Sequence, residues 1–201
     1  MSRGRLYIYS GPSGVGKGTL LKPLLEAGVL RLSVSATTRA PRAGETDGVE
    51  YRFVTRGRFE ELIASGEMLE YTEYNGNYYG TPRRFVEETL RRGENVVLEI
   101  EIEGARNVLR ECPDAVTIFV APPSLRALRE RLVGRGTESA ETIEQRLAIA
   151  AQEIAAATEY DFIIVNDDVS LAQEELAAAV RAAGALRRFH QTTIKEVLKT
   201  C

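Results

Sequence analysis

The stretch Gly11-Pro12-Ser13-Gly14-Val15-Gly16-Lys17-Gly18-Thr19 lies where a short apolar run gives way to a helical pattern. Glycines at such a junction let the backbone turn its N–H groups inward around a polyphosphate, and the N-terminus of the following helix adds a favourable dipole. Lys17 then sets a point charge between the β- and γ-phosphates of a nucleoside triphosphate. The spacing matches G-x-x-x-x-G-K, except that Gly18 stands where Ser or Thr is usual. The nearest hydroxyl is Thr19, so Thr19, or water in its place, becomes the candidate partner for magnesium. A glycine-rich turn carrying a solvated lysine is the plain alternative. Strand, loop and helix in that order, with the full spacing, argue for a phosphate site and fix the fold class as α/β.

Apolar runs and helical patterns alternate outward from this loop. Leu6-Tyr7-Ile8-Tyr9 reads as a buried strand, and residues 16–27 as a helix with Leu20, Leu21, Leu24 and Leu25 on one face. The runs at 96–100, 116–120 and 162–165 are short and apolar, as parallel strands are. Helical patterns separate them at 82–92, 103–111, 124–133 and 139–158. The alternation predicts a central parallel sheet flanked by helices. Residues 35–80 break the rhythm with Gly, Thr, Arg, Tyr and short alternating segments, and read as a small inserted β-rich lobe. Gly134-Arg135-Gly136-Thr137-Glu138 interrupts two helical patterns and reads as a lid with glycine hinges. From about residue 186 the tail reads as a basic helix.

Composition narrows the function classes. The 201 residues, 44% hydrophobic and 27% charged, suit one globular domain with small insertions. A net charge of -3 gives no global attraction to nucleic acid, and Arg187, Arg188, Lys195 and Lys199 near the end read as a solvated tail. No run has the length of a membrane span. Cys112 and Cys201 are too few and too distant for a disulfide framework or a metal site, and His190 is the only histidine. A reducing cytoplasm is the expected compartment.

The residues that follow the loop point to an anionic acceptor. Ser33-Val34-Ser35-Ala36-Thr37-Thr38-Arg39-Ala40-Pro41-Arg42 sets two guanidiniums three residues apart in a hydroxyl-rich segment, and Arg forks match phosphate oxygens. Tyr51 and Tyr79 are candidate phenolic donors to the same anion. Glu70 is a candidate base reader, since a carboxylate accepts from N1–H and N2–H₂ of guanine together and adenine lacks that donor pair. Taken singly, each of these is an ordinary surface residue, and spacing alone does not assign them.

Together with the phosphate loop, Ser35-Ala36-Thr37-Thr38-Arg39-Ala40-Pro41-Arg42, Gly48-Val49-Glu50-Tyr51, Asn77-Tyr78-Tyr79-Gly80-Thr81 and Ile164-Val165-Asn166-Asp167-Asp168 resemble guanylate kinase, in order from about residue 5 to 187. The resemblance implies a P-loop kinase with a GMP-binding lobe and a helical lid. It assigns 1–34, 82–124 and 159–187 to the core, 35–81 to the lobe, 125–158 to the lid and 188–201 to the tail. It implies that Gly11 to Thr19 and Asn166 bind ATP. Arg39, Arg42, Tyr51 and Tyr79 match the positions that hold the GMP phosphate, and Ser35, Glu70 and Thr81 those that contact guanine. Glu99 and Glu101 fall where many relatives have an acidic Asp pair near GMP and the metal, with Glu99 a candidate for magnesium through water. Lys17, Arg39, Arg131, Arg135 and Arg146 are the implied catalytic cations. From the residues alone, the ordinary reading of the lid arginines is as solvated partners of Glu130 or Glu144, and Asn-Asp-Asp is also an ordinary turn or cap.

The implied reaction is ATP plus GMP giving ADP and GDP, with Mg²⁺ as cofactor, and no discriminator of a 2′-hydroxyl stands out, so dGMP is a second candidate acceptor. The GMP phosphate is itself the nucleophile, so no general base is required and transfer is direct and in line. A ribose bisphosphate kinase would share the loop but have no use for Glu70 and Ser35. A guanylate-kinase-like binding module would be expected to have lost Lys17.

Overall fold

The computed structural model describes residues 3–42, 44–74, 76–134, 139–190 and 194–197. The expected hinge at 135–138, with Arg135, lies outside the described residues, as do Lys199 and Cys201 and the side chain of Arg187. In chain order the elements are β1 (Leu6–Ser10), α1 (Lys17–Glu26), β2 (Arg31–Leu32), β3 (Ala36–Thr37), β4 (Arg52–Phe53), α2 (Arg56–Ala64), β5 (Met68–Tyr74), β6 (Asn77–Pro82), α3 (Arg83–Arg91), β7 (Val96–Glu99), α4 (Ile102–Glu111), β8 (Val116–Ala121), α5 (Leu125–Gly134), α6 (Ala140–Ala155), β9 (Phe162–Val165) and α7 (Val169–Ala182). They fall into two compact units, one of Met1–Ser10 with Leu25–Thr117, the other of Gly11–Leu24 with Ile118–Cys201. The 35–81 lobe expected from the sequence falls inside the first unit, and the 125–158 segment inside the second.

In the first unit β7 pairs in parallel with β1 on one side and β2 on the other, Leu6 opposite Val96 and Arg31 opposite Val96. β1 is buried along its whole length, as an unbroken apolar run covered on both faces must be. A four-stranded sheet, β4-β3-β6-β5, makes up the inserted lobe. In it β5 and β6 form an antiparallel hairpin with a register shift between Met68 and Glu70. One extra residue at that shift puts Met68, Leu69 and Glu70 all in the interior, where strict alternation would have sent one of them outward. Helix α2, which the sequence reading did not anticipate, covers this sheet. Thr55 caps it by accepting from the Arg58 N–H, and Phe59 seals it against Ala36 and Met68.

In the second unit β8 and β9 are parallel, with Ile118 opposite Phe162, and α7 packs on β9. Helix α7 was also not anticipated. Asp168 starts it by accepting from the Leu171 N–H, and Ala172, Leu176, Ala179 and Val180 form its buried stripe. Pro23 lies inside α1 and lacks the N–H that would reach the Thr19 carbonyl. Gln173 of α7 supplies the missing donor, Nε2 to Thr19 O at 3.0 Å. Parallel strands flanked by helices are the α/β architecture expected from the alternation. Two boundaries differ. The long helical pattern at 139–158 ends at Ala155 and continues as a 3₁₀ turn, Ala156–Glu159. Among the described residues the tail begins not as an α-helix from 186 but with a 3₁₀ turn, Arg187–Phe189, and residues 194–197 are helical.

Phe59 is fully buried and stacks on Tyr78, ring centroids 5.2 Å apart. Phe59→Ala is expected to destabilise the protein by about 3–5 kcal/mol through lost burial and the cavity left behind. A urea titration followed by circular dichroism checks this, and an unchanged midpoint would remove α2 from the core of the lobe.

Candidate active site

The phosphate loop of the second unit is shaped by contacts that glycine alone permits. Gly14 has φ of 88° and Gly16 of 99°. A Cβ on Gly14 would stand 2.7 Å from Leu132 Cδ2, and one on Gly16 would stand 2.6 Å from Asn166 Nδ2. Gly18 is different, for a Cβ there meets nothing within 4 Å. The side chain of Lys17 folds back over the loop, its Nζ donating to the Gly11 carbonyl at 2.7 Å and the Pro12 carbonyl at 3.4 Å. Val15 is buried, and its carbonyl accepts from Asn166 Nδ2 at 2.7 Å and from Arg131 Nη1 at 3.3 Å. Arg131 Nη2 also donates to the Asn166 carbonyl at 2.8 Å. Arg146 on α6 reaches Ser13, Nη1 to Oγ at 3.0 Å.

Two of these positions make contacts that the sequence did not show. Asn166 is 2% exposed and supports the loop from beneath, its amide engaged by Val15. Arg131 does not pair with Glu130 or Glu144 but is tied to loop backbone, while Glu144 pairs with Arg129. Thr19 is exposed at the start of α1. Asp168 is a helix cap, the ordinary role for Asn-Asp-Asp.

In the first unit the lobe gathers most of the acceptor candidates. Glu70 is 6% exposed, and its Oε1 accepts from the Thr81 hydroxyl at 2.7 Å. The hairpin register makes that bond, since Glu70 stands opposite Thr81. Burial pushes the Glu70 carboxyl up to about 7, with a further rise from Glu101 and an opposing pull from the Thr81 bond. Gly104, in the first turn of α4, lets the Glu70 carboxylate approach, for a Cβ there would stand 3.0 Å from Oε2. Thr81 therefore orients Glu70 with its hydroxyl proton.

Arg39 forms a two-pronged ion pair with Glu45, Nη1 to Oε2 at 3.0 Å and Nη2 to Oε1 at 2.9 Å. Its guanidinium lies 5.4 Å from the centroid of Tyr51 and 5.8 Å from that of Phe53. Tyr51 meets Tyr79 edge-on at 5.9 Å, and burial is the main reason its phenol is raised above its ordinary range. Arg39, Tyr51 and Tyr79 are thus one cluster. Arg42 is exposed, and its backbone N–H donates to Glu45 Oε2 at 2.7 Å. The Ser35 carbonyl accepts from the Arg52 N–H, and the residue is half-buried. Glu99 is exposed at the end of β7 and acts on both Tyr9 and Tyr51. Glu101 caps α4, accepting from the N–H groups of Glu103 at 2.7 Å and Gly104 at 2.6 Å. Sequence reasoning missed Glu45. Its only signal was an acidic residue three positions after Arg42 in a loop otherwise read for its cations.

A family model described as guanylate kinase matches residues 3–183. The guanylate kinase of Streptococcus pneumoniae (strain ATCC BAA-255 / R6) is 57% identical over 182 residues, 90% of this chain and 88% of that protein. That of Streptococcus mutans serotype c (strain ATCC 700610 / UA159) is 50% identical over 202 residues, 97% and 96% of the two chains. A crystal structure of guanylate kinase from Anaplasma phagocytophilum is similar with a TM-score of 0.75 and 36% identity, covering 90% of this chain and 86% of that one. With a match over this span and identities this high, the chain belongs to the guanylate kinase family.

Proposed function

We propose that the chain transfers the γ-phosphoryl group of ATP to GMP, giving ADP and GDP, and so feeds GTP and dGTP supply, with dGMP a second acceptor. Family membership supports the reaction class. The observation that carries the acceptor is Glu70, a buried carboxylate whose Oε1 is held by Thr81. In our reading that carboxylate accepts the N1–H and N2–H₂ donors of guanine, with Ser35 and Thr81 around the base and Glu101 near GMP. Adenine would leave the buried carboxylate unpaired, a mismatch of the kind that discriminates by about 10⁴–10⁵. Arg39, Arg42, Tyr51 and Tyr79 hold the acceptor phosphate.

ATP takes the loop from Gly11 to Thr19, with Lys17, Arg131, Arg135 and Arg146 neutralising charge that develops on the transferring group. Asn166 serves ATP by holding the loop that binds it. Magnesium prefers hard oxygen donors, and the exposed Thr19 hydroxyl would offer one beside the ATP phosphates, while Glu99 is a candidate through water by resemblance alone. When bound it would neutralise charge on the phosphates. The GMP phosphate attacks directly, so no side chain carries a covalent intermediate. The core, lobe and lid division inferred from resemblance describes the parts that serve these steps. Among the described residues no helix is long and apolar enough to cross a membrane. We assign the enzyme to the cytoplasm on its two widely separated cysteines.

A coupled assay of ADP production with ATP and Mg²⁺, comparing GMP, AMP, CMP and UMP, tests the reading. Turnover on GMP alone is the expected result, and turnover on none of them, by folded protein, would overturn it. Lys17→Ala is expected to lower kcat by at least about 10²-fold, because preorganised charge at the transition state is lost. Near-normal turnover would remove Lys17 from the chemistry. Glu70→Gln is expected to narrow the preference for GMP over AMP while leaving KM for ATP unchanged. Discrimination equal to the parent's would refute Glu70 as the base reader.

The Glu70 carboxyl also sets a pH dependence. With its folded value raised from 4.5 to about 7, the empty protein binds a proton there that the unfolded chain releases. The stability so gained is complete below about 4.5 and is lost as pH rises to about 7, a change of roughly 3 kcal/mol. Guanine needs the ionised form, so KM for GMP is expected to rise as pH falls below about 7. Both trends should flatten in Glu70→Gln, measured by denaturation and by initial rates from pH 5 to 8. A parent enzyme with flat profiles would place the Glu70 proton elsewhere.

A further inference from the structure

The acceptor cluster contains one carboxylate that the reaction as proposed does not use. Glu45 is held by both ends of the Arg39 fork and by the backbone N–H of Arg42, so a single side chain ties together the two arginines assigned to the phosphate. The pair is largely withdrawn from solvent, the side chains 15% and 17% exposed. Arg39 is the main reason that the Glu45 carboxyl lies below its usual range.

The donors of Arg39 can be counted. A guanidinium has five N–H groups in a fixed plane. Glu45 takes one from Nη1 and one from Nη2, the two that point forward from the fork, and the Ala40 carbonyl takes the other Nη1 donor at 2.8 Å. The Nε–H and the second Nη2–H, parallel along one edge of the plane, are bonded to neither Glu45 nor Ala40, and the Tyr79 hydroxyl, itself assigned to the phosphate, is the guanidinium's other side-chain partner. That edge is itself a two-pronged match for two oxygens of a phosphate monoester. The flanking Tyr51 and Phe53 rings limit how far the plane can turn.

We propose that Glu45 is a positioning residue for the acceptor phosphate: it clamps the forward fork of Arg39 and thereby presents the remaining Nε/Nη2 edge to the phosphate of GMP. Glu45 touches no reacting atom and acts through Arg39. The proposal rests on the reading of Arg39 as a phosphate ligand. It differs in sign from a bulk electrostatic effect. Removing a negative charge beside an anion site should by itself strengthen anion binding, whereas releasing the Arg39 clamp should weaken it.

Calorimetric titration of GMP and of guanosine into the parent, Glu45→Gln, Arg39→Ala and the double variant separates these cases. Glu45→Gln is expected to weaken GMP binding about tenfold, the size of one lost charge-assisted geometry, with guanosine affinity and KM for ATP unchanged. In the Arg39→Ala background the same substitution should add nothing, because the two residues act as one unit. Unchanged or tighter GMP binding in Glu45→Gln, while Arg39→Ala still weakens it, overturns the proposal, the tighter case identifying Glu45 as an anion that the phosphate displaces. Equal weakening toward GMP and guanosine also overturns it, reducing Glu45 to a fold-keeping role. GMP binding untouched by Arg39→Ala would instead overturn the phosphate reading underneath.

Discussion

A loop that turns its N–H groups inward around phosphate must turn carbonyls outward, and those carbonyls need partners. The second unit is arranged around that constraint. Val15 presents its carbonyl to Asn166 Nδ2 and Arg131 Nη1, while the carbonyls of Gly11 and Pro12 face Lys17 Nζ. Asn166 must come so close to do this that residue 16 has to be glycine. The loop's sequence and its support beneath are therefore one device, and on the proposed reading Asn166 serves the nucleotide through the backbone it holds.

In the first unit the proposed anion site is made of side chains instead of backbone. Arg39, Tyr51 and Tyr79 cluster there on a sheet, where no helix dipole is on offer. Beside it, the bulge between Met68 and Glu70 brings a carboxylate into an apolar interior. Burial there raises the proton affinity of Glu70, and the Thr81 hydroxyl works against that rise. The same burial that destabilises the charge is what makes an unmatched base expensive to bind.

How much of this was legible in the sequence depended on how local the cause was. The loop, the four short apolar runs and the helical patterns between them were readable because their patterns lie within a few residues. Helices α2 and α7 were not, since the first has a single buried residue, Phe59, and the second a stripe built half of alanine. The bulge that buries Glu70 was invisible because it depends on pairing with β6. Glu45 was invisible because its meaning depends on which donors of Arg39 are left over. Pro23 looked like an irregularity in a helix and is resolved only by Gln173, about 150 residues away. Gly18 is a different matter, since neither space nor a positive φ requires glycine there. The missing hydroxyl is not excluded by packing.

A common feature joins the two units. Most of the cations assigned to phosphate already have a protein acceptor: Lys17 has the loop carbonyls, Arg131 has Val15 and Asn166, Arg146 has Ser13, and Arg39 has Glu45. Substrate binding in such a site is in part an exchange of hydrogen bonds, and the net affinity from each is modest. What the arrangement provides is geometry set before the ligand arrives, which lowers the reorganisation required when charge develops. Arg131 and Arg146, like Arg39, have more N–H groups than these acceptors take, so on the proposed reading a phosphate can be met without the protein bond being lost. In the proposed site, the orientation of Arg39 is set by Glu45 before any phosphate arrives.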